Sequence, residues 1–419
     1  MATAVAGERI VTLDVVRGVA VMGILVVNII SFAMPEGAAM NPLLFGVNGA
    51  ADLLSWAVSF VFFEGRMRGL FSFLFGASML LVIERAQAGA RSPARVHYAR
   101  MGWLLVFGLL HFFFVWMGDI LTLYAVAGMV AFAFRDSSRP AMLAMAGAML
   151  ILNFAIYGLL TVGLYTTEAM ATGPGAPLEL QQAWQASQSG LSHYDPAHLG
   201  EILALYRGPY DRLLDHVAMV AQSRLTWSFM LAGPETLAYF LFGMAAYRSG
   251  FLTGAWERRR YFRTALIGFG ISLPAYGAFA WLLVETGFHP PTAFAIETVS
   301  IPIRPAAIFA AAALIILVAR PGGMLTERIA AAGRAAFTNY LGTSILMTLI
   351  FYGWGFARFG HYGRAELWTF VGGACLLMLL WSKPWLDRFR YGPFEWLWRS
   401  LARGRIEPLR RAVADPRPN

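Results

Sequence analysis

The chain is poor in charge, cysteine and lysine. Only 14% of its 419 residues are charged, against about a quarter in an ordinary soluble domain. With 58% hydrophobic residues, a soluble globular protein of this size is excluded. The single cysteine, Cys375, lies in an apolar run, which excludes an internal disulfide and a cysteine-based metal centre. The single lysine is Lys383, so nearly all positive charge is arginine. These arginines fall in short clusters between apolar runs. The net charge of +9 therefore follows the positive-inside pattern, and no nucleic-acid partner is expected. P-loop, GxGxxG, HExxH and GxSxG motifs are missing, and no two histidines share a helix face within a span, so no metal site is expected. The start, "MATAVAGERIVTLDVVRG", lacks the pattern of a cleaved signal peptide. The first span is expected to remain as an anchor.

What the chain has in abundance is apolar runs of membrane-crossing length. Hydropathy predicts spans near 10–33, 101–117, 119–134, 141–164, 225–248, 262–284, 301–319, 335–356 and 365–383, with 51–84 ambiguous. Charge resolves the ambiguity. The segment after it carries Arg85, Arg91, Arg95 and Arg100, whereas 34–50 has no lysine or arginine. One net crossing must connect them. At about 1.5 Å per residue, 51–84 is too long for one straight span. A short interfacial or re-entrant helix over 51–63, a break at "EGRMRG" and a spanning helix fit. The expected fold is all-α: a polytopic transmembrane bundle of about ten crossings, with a broken or re-entrant helix near 51–69 and both termini cytoplasmic.

Four regions follow. Residues 1–164 hold N-terminal transmembrane helices with a candidate charged site. Residues 165–224 form an external segment of amphipathic helices, 225–383 the C-terminal transmembrane helices, and 384–419 a basic cytoplasmic tail.

Charged residues inside spans are candidate functional groups. Asp14 and Arg17, three apart, share a helix face near the cytoplasmic end. They form a structural ion pair, or Arg17 binds an anionic group; Asn28 lies deeper. Glu64, Arg66 and Arg68 form internal ion pairs, with Asp52 among the partners, or an anion-binding cavity. His111 falls near mid-membrane and Asp119 follows the turn at Gly118. A neutral imidazole with a carboxylate partner is a candidate general base. Arg304 is a snorkelling interfacial arginine or faces a cavity, and His289 is read as a loop residue. The helix "AAFTNYLGTSILMTLIFYGWG" carries Thr338, Asn339, Tyr340, Thr343, Ser344, Thr348 and Tyr352. Residues 340, 344, 348 and 352 make one polar stripe, which packs helices closely or lines a cavity. Asn339 and Tyr340 are its candidate substrate-binding residues.

The stretches "RIVTLDVVRGVAVMGILVVNI", "EGRMRGLFSFLFGAS", "GLLHFFFVWMGDILTLYAVAG", "AAFTNYLGTSILMTLIFYGWG" and "RFRYGPFEWLWRSL" together resemble the YeiB-like family of bacterial inner-membrane proteins, which carry a domain of unknown function. The resemblance runs in order through nearly the whole chain and implies a multi-pass inner-membrane location. More remotely, "LDVVRG" followed by "GILVVN" is similar to the start of transmembrane acyltransferases of the heparan-glucosaminide N-acetyltransferase type. That likeness implies an acyl group taken from cytoplasmic acyl-CoA and passed to an acceptor on the far side. Those enzymes use a histidine in the connection after the first span. Here "MPEGAAMNPLLFGVNGAAD" has none. Either His111 takes that role from another helix, or this branch does different work.

Three readings are open. In an acyltransferase, Arg17, Arg66 and Arg68 hold acyl-CoA as co-substrate while His111, with Asp119, deprotonates an acceptor. In a transporter of an anionic or lipid-like solute, the same arginines form a midplane site. In a non-catalytic scaffold, the polar groups only hold the bundle. The partners expected are the lipid bilayer, a small or lipid-like substrate and a second copy in a homodimer.

Overall fold

The computed structural model describes residues 11–411, and it is helical throughout. In chain order the helices are α1 (Val11–Ala33), the short α2 (Gly37–Met40), α3 (Ala50–Phe62), α4 (Arg66–Ala88), α5 (Pro93–Phe114), α6 (Leu121–Ala131), α7 (Arg139–Thr172), α8 (Leu178–Gln188), α9 (Pro196–Arg207), α10 (Tyr210–Arg248), α11 (Arg258–Glu285), α12 (Pro290–Ser300), α13 (Arg304–Val318), α14 (Met324–Arg334), α15 (Ala336–Phe351), α16 (Arg364–Arg388) and α17 (Pro393–Arg403). Local signals set several starts. Ser92 and Ser138 accept backbone N–H groups at the first turns of α5 and α7, each with a proline in that turn. Asp195 does the same for α9.

Among the described residues seven helices are long and apolar enough to cross a membrane, with α3 and α4 counted as one over Ala50–Ala88, or eight if the bent pair α12 and α13 counts as one span. The remaining expected crossings correspond to two shorter apolar helices, Leu121–Phe134 and Ala336–Phe351. Apolar faces left uncovered show where lipid sits. Along α7, Ile151 is 71% exposed and Leu159 75% exposed, which water would not tolerate over such a length but a bilayer does. The break predicted near 51–69 falls at 63–65, between α3 and α4. Gly65 takes a left-handed φ of 65° there, and a side chain on it would crowd the Arg304 guanidinium. The sharper bend, 59°, lies between α12 and α13, and α12 falls in the connection that hydropathy leaves between the spans 262–284 and 301–319.

The centre of the bundle is the crossing of α4 and α10. A methyl on Gly76 would strike the carbonyl of Phe240, and one on Gly243 would strike that of Phe73. Each helix thus offers its glycine to the other's backbone. The stretch 165–224 is less separate than its composition implies. The helix α7 runs on to Thr172 and α10 begins at Tyr210, so only α8, α9 and their joins lie between. Residues 1–10 and 412–419, which include both termini, lie outside the described residues.

Candidate functional site

His111 and Asp119 meet. The α5 helix ends at Phe114 and a turn brings Asp119 to the start of α6. One oxygen of Asp119 faces Nδ1 of His111 at 2.9 Å, and the other accepts the N–H of Thr122 at 2.7 Å. A carboxylate on Nδ1 holds the proton there, so the neutral ring carries its lone pair on Nε2. That Nε2 is buried and has no partner among the described residues. Tyr340 stands beside the ring, with centroids 5.3 Å apart, and its hydroxyl accepts the N–H of Ile120 at 3.4 Å.

Asp119 also borders a small chamber of about 160 Å³, with Asn28, Glu64, Arg68 and Ser228. Behind the chamber lies a buried ion-pair network. Arg68 pairs with Glu235, and Arg304 pairs with both Glu235 and Glu297, the Arg304–Glu235 contact measuring 3.0 Å. The Tyr239 hydroxyl donates to Glu235 at 2.8 Å. Arg304 is 5% exposed, so it does not snorkel to an interface. Glu235 and Glu297 were not singled out in the sequence; each is a lone carboxylate in an apolar stretch, the same signal that marks Arg66.

Arg66 and Arg68 part company. They are the first and third residues of a regular helix, so their side chains diverge. Arg66 is buried with its guanidinium 4.4 Å from the centroid of the Tyr276 ring, and its Nε and Nη2 have no partner among the described residues. Neither it nor His111 lines the small chamber. The expectation that Asp52 pairs with an arginine is not met among the described residues: its oxygens take the backbone N–H groups of Asn48 and Ala365 at 2.9 and 2.8 Å. Asn339 is a packing node, bonded to the Ala332 carbonyl, Ser382 and the Trp381 indole. Ser344 and Thr348 bond back to their own helix, so of the polar stripe Tyr340 reaches a cavity. His289 holds Glu168 at 2.7 Å.

A second, larger cavity of about 480 Å³ opens at the other end of α1 and α4. Arg17 is on its wall, with Asp14 at 3.4 Å and Ser78 at 2.6 Å. Arg85, Arg100, Arg334, Arg390 and Arg399 join it, against two carboxylates, Asp14 and Glu395. Glu395 is committed to the start of α15, where it accepts the N–H groups of Phe337 and Thr338. The wall is thus strongly positive. Burial lowers the pKa of Arg399 from its usual range. Phe71, Leu74, Phe75, Met101 and Leu104 supply an apolar side. An amphipathic anion matches this lining. Among the described residues no cluster suited to a metal ion occurs.

The two cavities lie back to back. Asp119, Ile120 and Leu123 border the small one; Leu121, Tyr124 and Tyr340 border the large one. The septum is the first turn of α6 plus Tyr340. Tyr124 pins it, with its hydroxyl 2.6 Å from Ser72 and donating to the Arg68 carbonyl at 3.2 Å.

Residues 246–405 match the family profile described as "Protein of unknown function (DUF418)". The chain is 32% identical over 408 residues to the Escherichia coli K12 protein named uncharacterized protein YeiB, covering 94% of this chain and 96% of that one. It is 30% identical over 417 residues to uncharacterized protein YxaH of Bacillus subtilis 168, covering 96% of each. A 39.9 kDa Bacillus acidopullulyticus protein is 25% identical over 407 residues, again covering 96% of each. No solved structure matches. On these full-length likenesses the chain belongs to the YeiB-like DUF418 family of helical membrane proteins.

Proposed function

We propose that this protein is a membrane acyltransferase, with acyl-CoA in the arginine-lined cavity and an acceptor in the small chamber. One observation carries the reading: a strongly basic, half-apolar cavity backs onto the His111–Asp119 pair, with one helical turn and Tyr340 between. Phosphates suit the arginines and a pantetheine–acyl arm suits the apolar side. By the positive-inside pattern that cavity faces the cytoplasm, where acyl-CoA is made.

The step balances without a further reactant. His111 Nε2 takes the proton from the acceptor's hydroxyl or amine as that atom bonds to the acyl carbon. The carbon–sulfur bond breaks, and the imidazolium returns the proton to the thiolate. Asp119 stabilises the imidazolium between the two events. Nε2 is buried and His111 borders neither cavity, so turnover needs the turn between α5 and α6 to open and bring Nε2 to the acceptor. A transporter would place its arginines at the centre of the solute path; here Arg17 stands with Arg85, Arg100, Arg334, Arg390 and Arg399 at one end, which favours transfer.

The test is calorimetry of the detergent-purified full chain with acetyl-CoA and longer acyl-CoAs. Arg17→Ala is expected to weaken binding about tenfold, the worth of one charge-assisted contact. His111→Ala is expected to bind normally and to transfer no acyl group. Folded protein that binds no acyl-CoA would sink the proposal, and solute uptake in proteoliposomes would then be measured.

A further inference from the structure

We infer that His97 reads the base of a nucleotide held in the arginine-lined cavity, by accepting a hydrogen bond from an exocyclic amine on that base. Identifying the nucleotide as coenzyme A rests on the acyltransfer reading, but the hydrogen-bond argument stands without it.

His97 is on α5, is 2% exposed and lines the large cavity. Its ring stacks on Phe132, with centroids 5.0 Å apart. Its Nε2 stands 3.0 Å from the carbonyl oxygen of Gly128 on α6. A carbonyl only accepts, so Nε2 carries the proton. A second proton would add a seventh cation to a wall that already holds six arginines. The imidazole is therefore neutral, and Nδ1 keeps its lone pair. Among the described residues Nδ1 has no hydrogen-bond partner. Unlike Nε2 of His111, it is not sealed in protein but keeps contact with open space. That space is the cavity His97 lines.

The carboxylates of the wall are engaged inside the protein: Asp14 faces Arg17, and Glu395 accepts the N–H groups of Phe337 and Thr338. A wall of cationic donors thus presents one neutral acceptor at His97. A bare phosphate or a fatty-acid carboxylate brings acceptors only, and would set a lone pair against Nδ1. An ammonium head group would meet the arginines. The neutral N–H of an aminated base meets neither objection. The surroundings suit such a flat ring. His97 and Arg100, three apart on α5, share a helix face. The Arg100 carbonyl accepts the indole N–H of Trp398 at 2.9 Å, and the Arg100 guanidinium lies 4.1 Å from the centroid of that indole. Phe337 packs 5.5 Å from it. One part of the wall therefore joins an acceptor for the amine, a guanidinium for a phosphate and aromatic rings for stacking. Gly128 lies seven residues along α6 from Leu121 at the septum, which is about two turns, or roughly 10 Å. On the acyltransfer reading the adenine end of coenzyme A sits there, and its acyl arm runs the other way, toward His111 and Asp119.

ADP and purine riboside diphosphate differ only in the exocyclic amine, which is a hydrogen in the second, so they are the probes. On the detergent-purified full chain, ADP is expected to raise the thermal midpoint saturably. The analogue should need about tenfold higher concentration, the worth of leaving one buried acceptor unpaired. His97→Phe keeps a ring on Phe132 and removes Nδ1, and it is expected to bring ADP down to the level of the analogue. Inorganic pyrophosphate, which engages the arginines alone, should act alike on wild type and variant, and so reports that the variant is folded. His97→Leu, which also lacks Nδ1, is the second variant and should behave the same. An absent response to ADP, an equal response to the two probes in the wild-type protein, or a preference that survives the loss of His97 would each overturn the inference. If the preference holds and coenzyme A does not bind, the acyltransfer reading fails and the nucleotide site stands. If coenzyme A binds and the preference is missing, the reverse holds.

Discussion

Glu235 carries more of the structure than any residue picked from the sequence. It is 1% exposed and holds Arg68, Arg304 and the Tyr239 hydroxyl at once. Removing its charge would take the carboxylate partner from Arg68 and leave Arg304 with Glu297 alone. Glu235→Gln is therefore expected to cost about 3–5 kcal/mol, the range for breaking a buried pair from one side. The thermal midpoint in detergent should fall accordingly, and the small chamber should lose ligand binding. A midpoint within a degree of wild type would show that the network is not structural. The contrast with His111–Asp119 explains what was legible. That pair is eight residues apart across one turn, so chain order nearly announces it. Glu235 and Arg304 are 69 apart, on helices whose adjacency no local pattern encodes. Arg66 and Arg68 mislead in the opposite sense: nearness in sequence on a regular helix sends side chains to different neighbours.

At the scale of elements, the crossing of α4 and α10 decides whether the site exists, because both helices border the small chamber. Gly243→Val would push a branched side chain into the Phe73 carbonyl. Over-packing of this kind costs about 1–3 kcal/mol. It is expected to lower the thermal midpoint, whereas the same change at Gly147, which has open space around it, should leave it in place. Equal effects at the two positions would reject the crossing. Hydropathy finds the apolar part of each helix and stops there. Hence α7 and α10 extend past their predicted ends as polar helix. The helix α12 was missed because Pro290 and Pro291 read as a loop, yet proline is at home in the first turn of a helix.

For the whole molecule, function depends on which side each cavity faces, and that depends on whether the short α6 crosses. Gln87 and Gln182 are exposed residues separated by α5, α6 and α7. Three crossings put them on opposite sides; two put them on the same side. Arg85, on the wall of the basic cavity, is two residues from Gln87, so Gln87 reports the side of that cavity as well. The single native cysteine makes the experiment clean. In a Cys375→Ser background, Gln182→Cys is expected to react with a membrane-impermeant maleimide on intact spheroplasts. Gln87→Cys and Ile406→Cys should react only after permeabilisation. If Gln87→Cys and Gln182→Cys react together, α6 does not cross and the septum is not a midplane wall. If Gln87→Cys reacts from outside and Gln182→Cys does not, the bundle is inverted. Its arginine-lined cavity would then open where no acyl-CoA is made, and the acyltransferase reading would fall whatever binds in detergent.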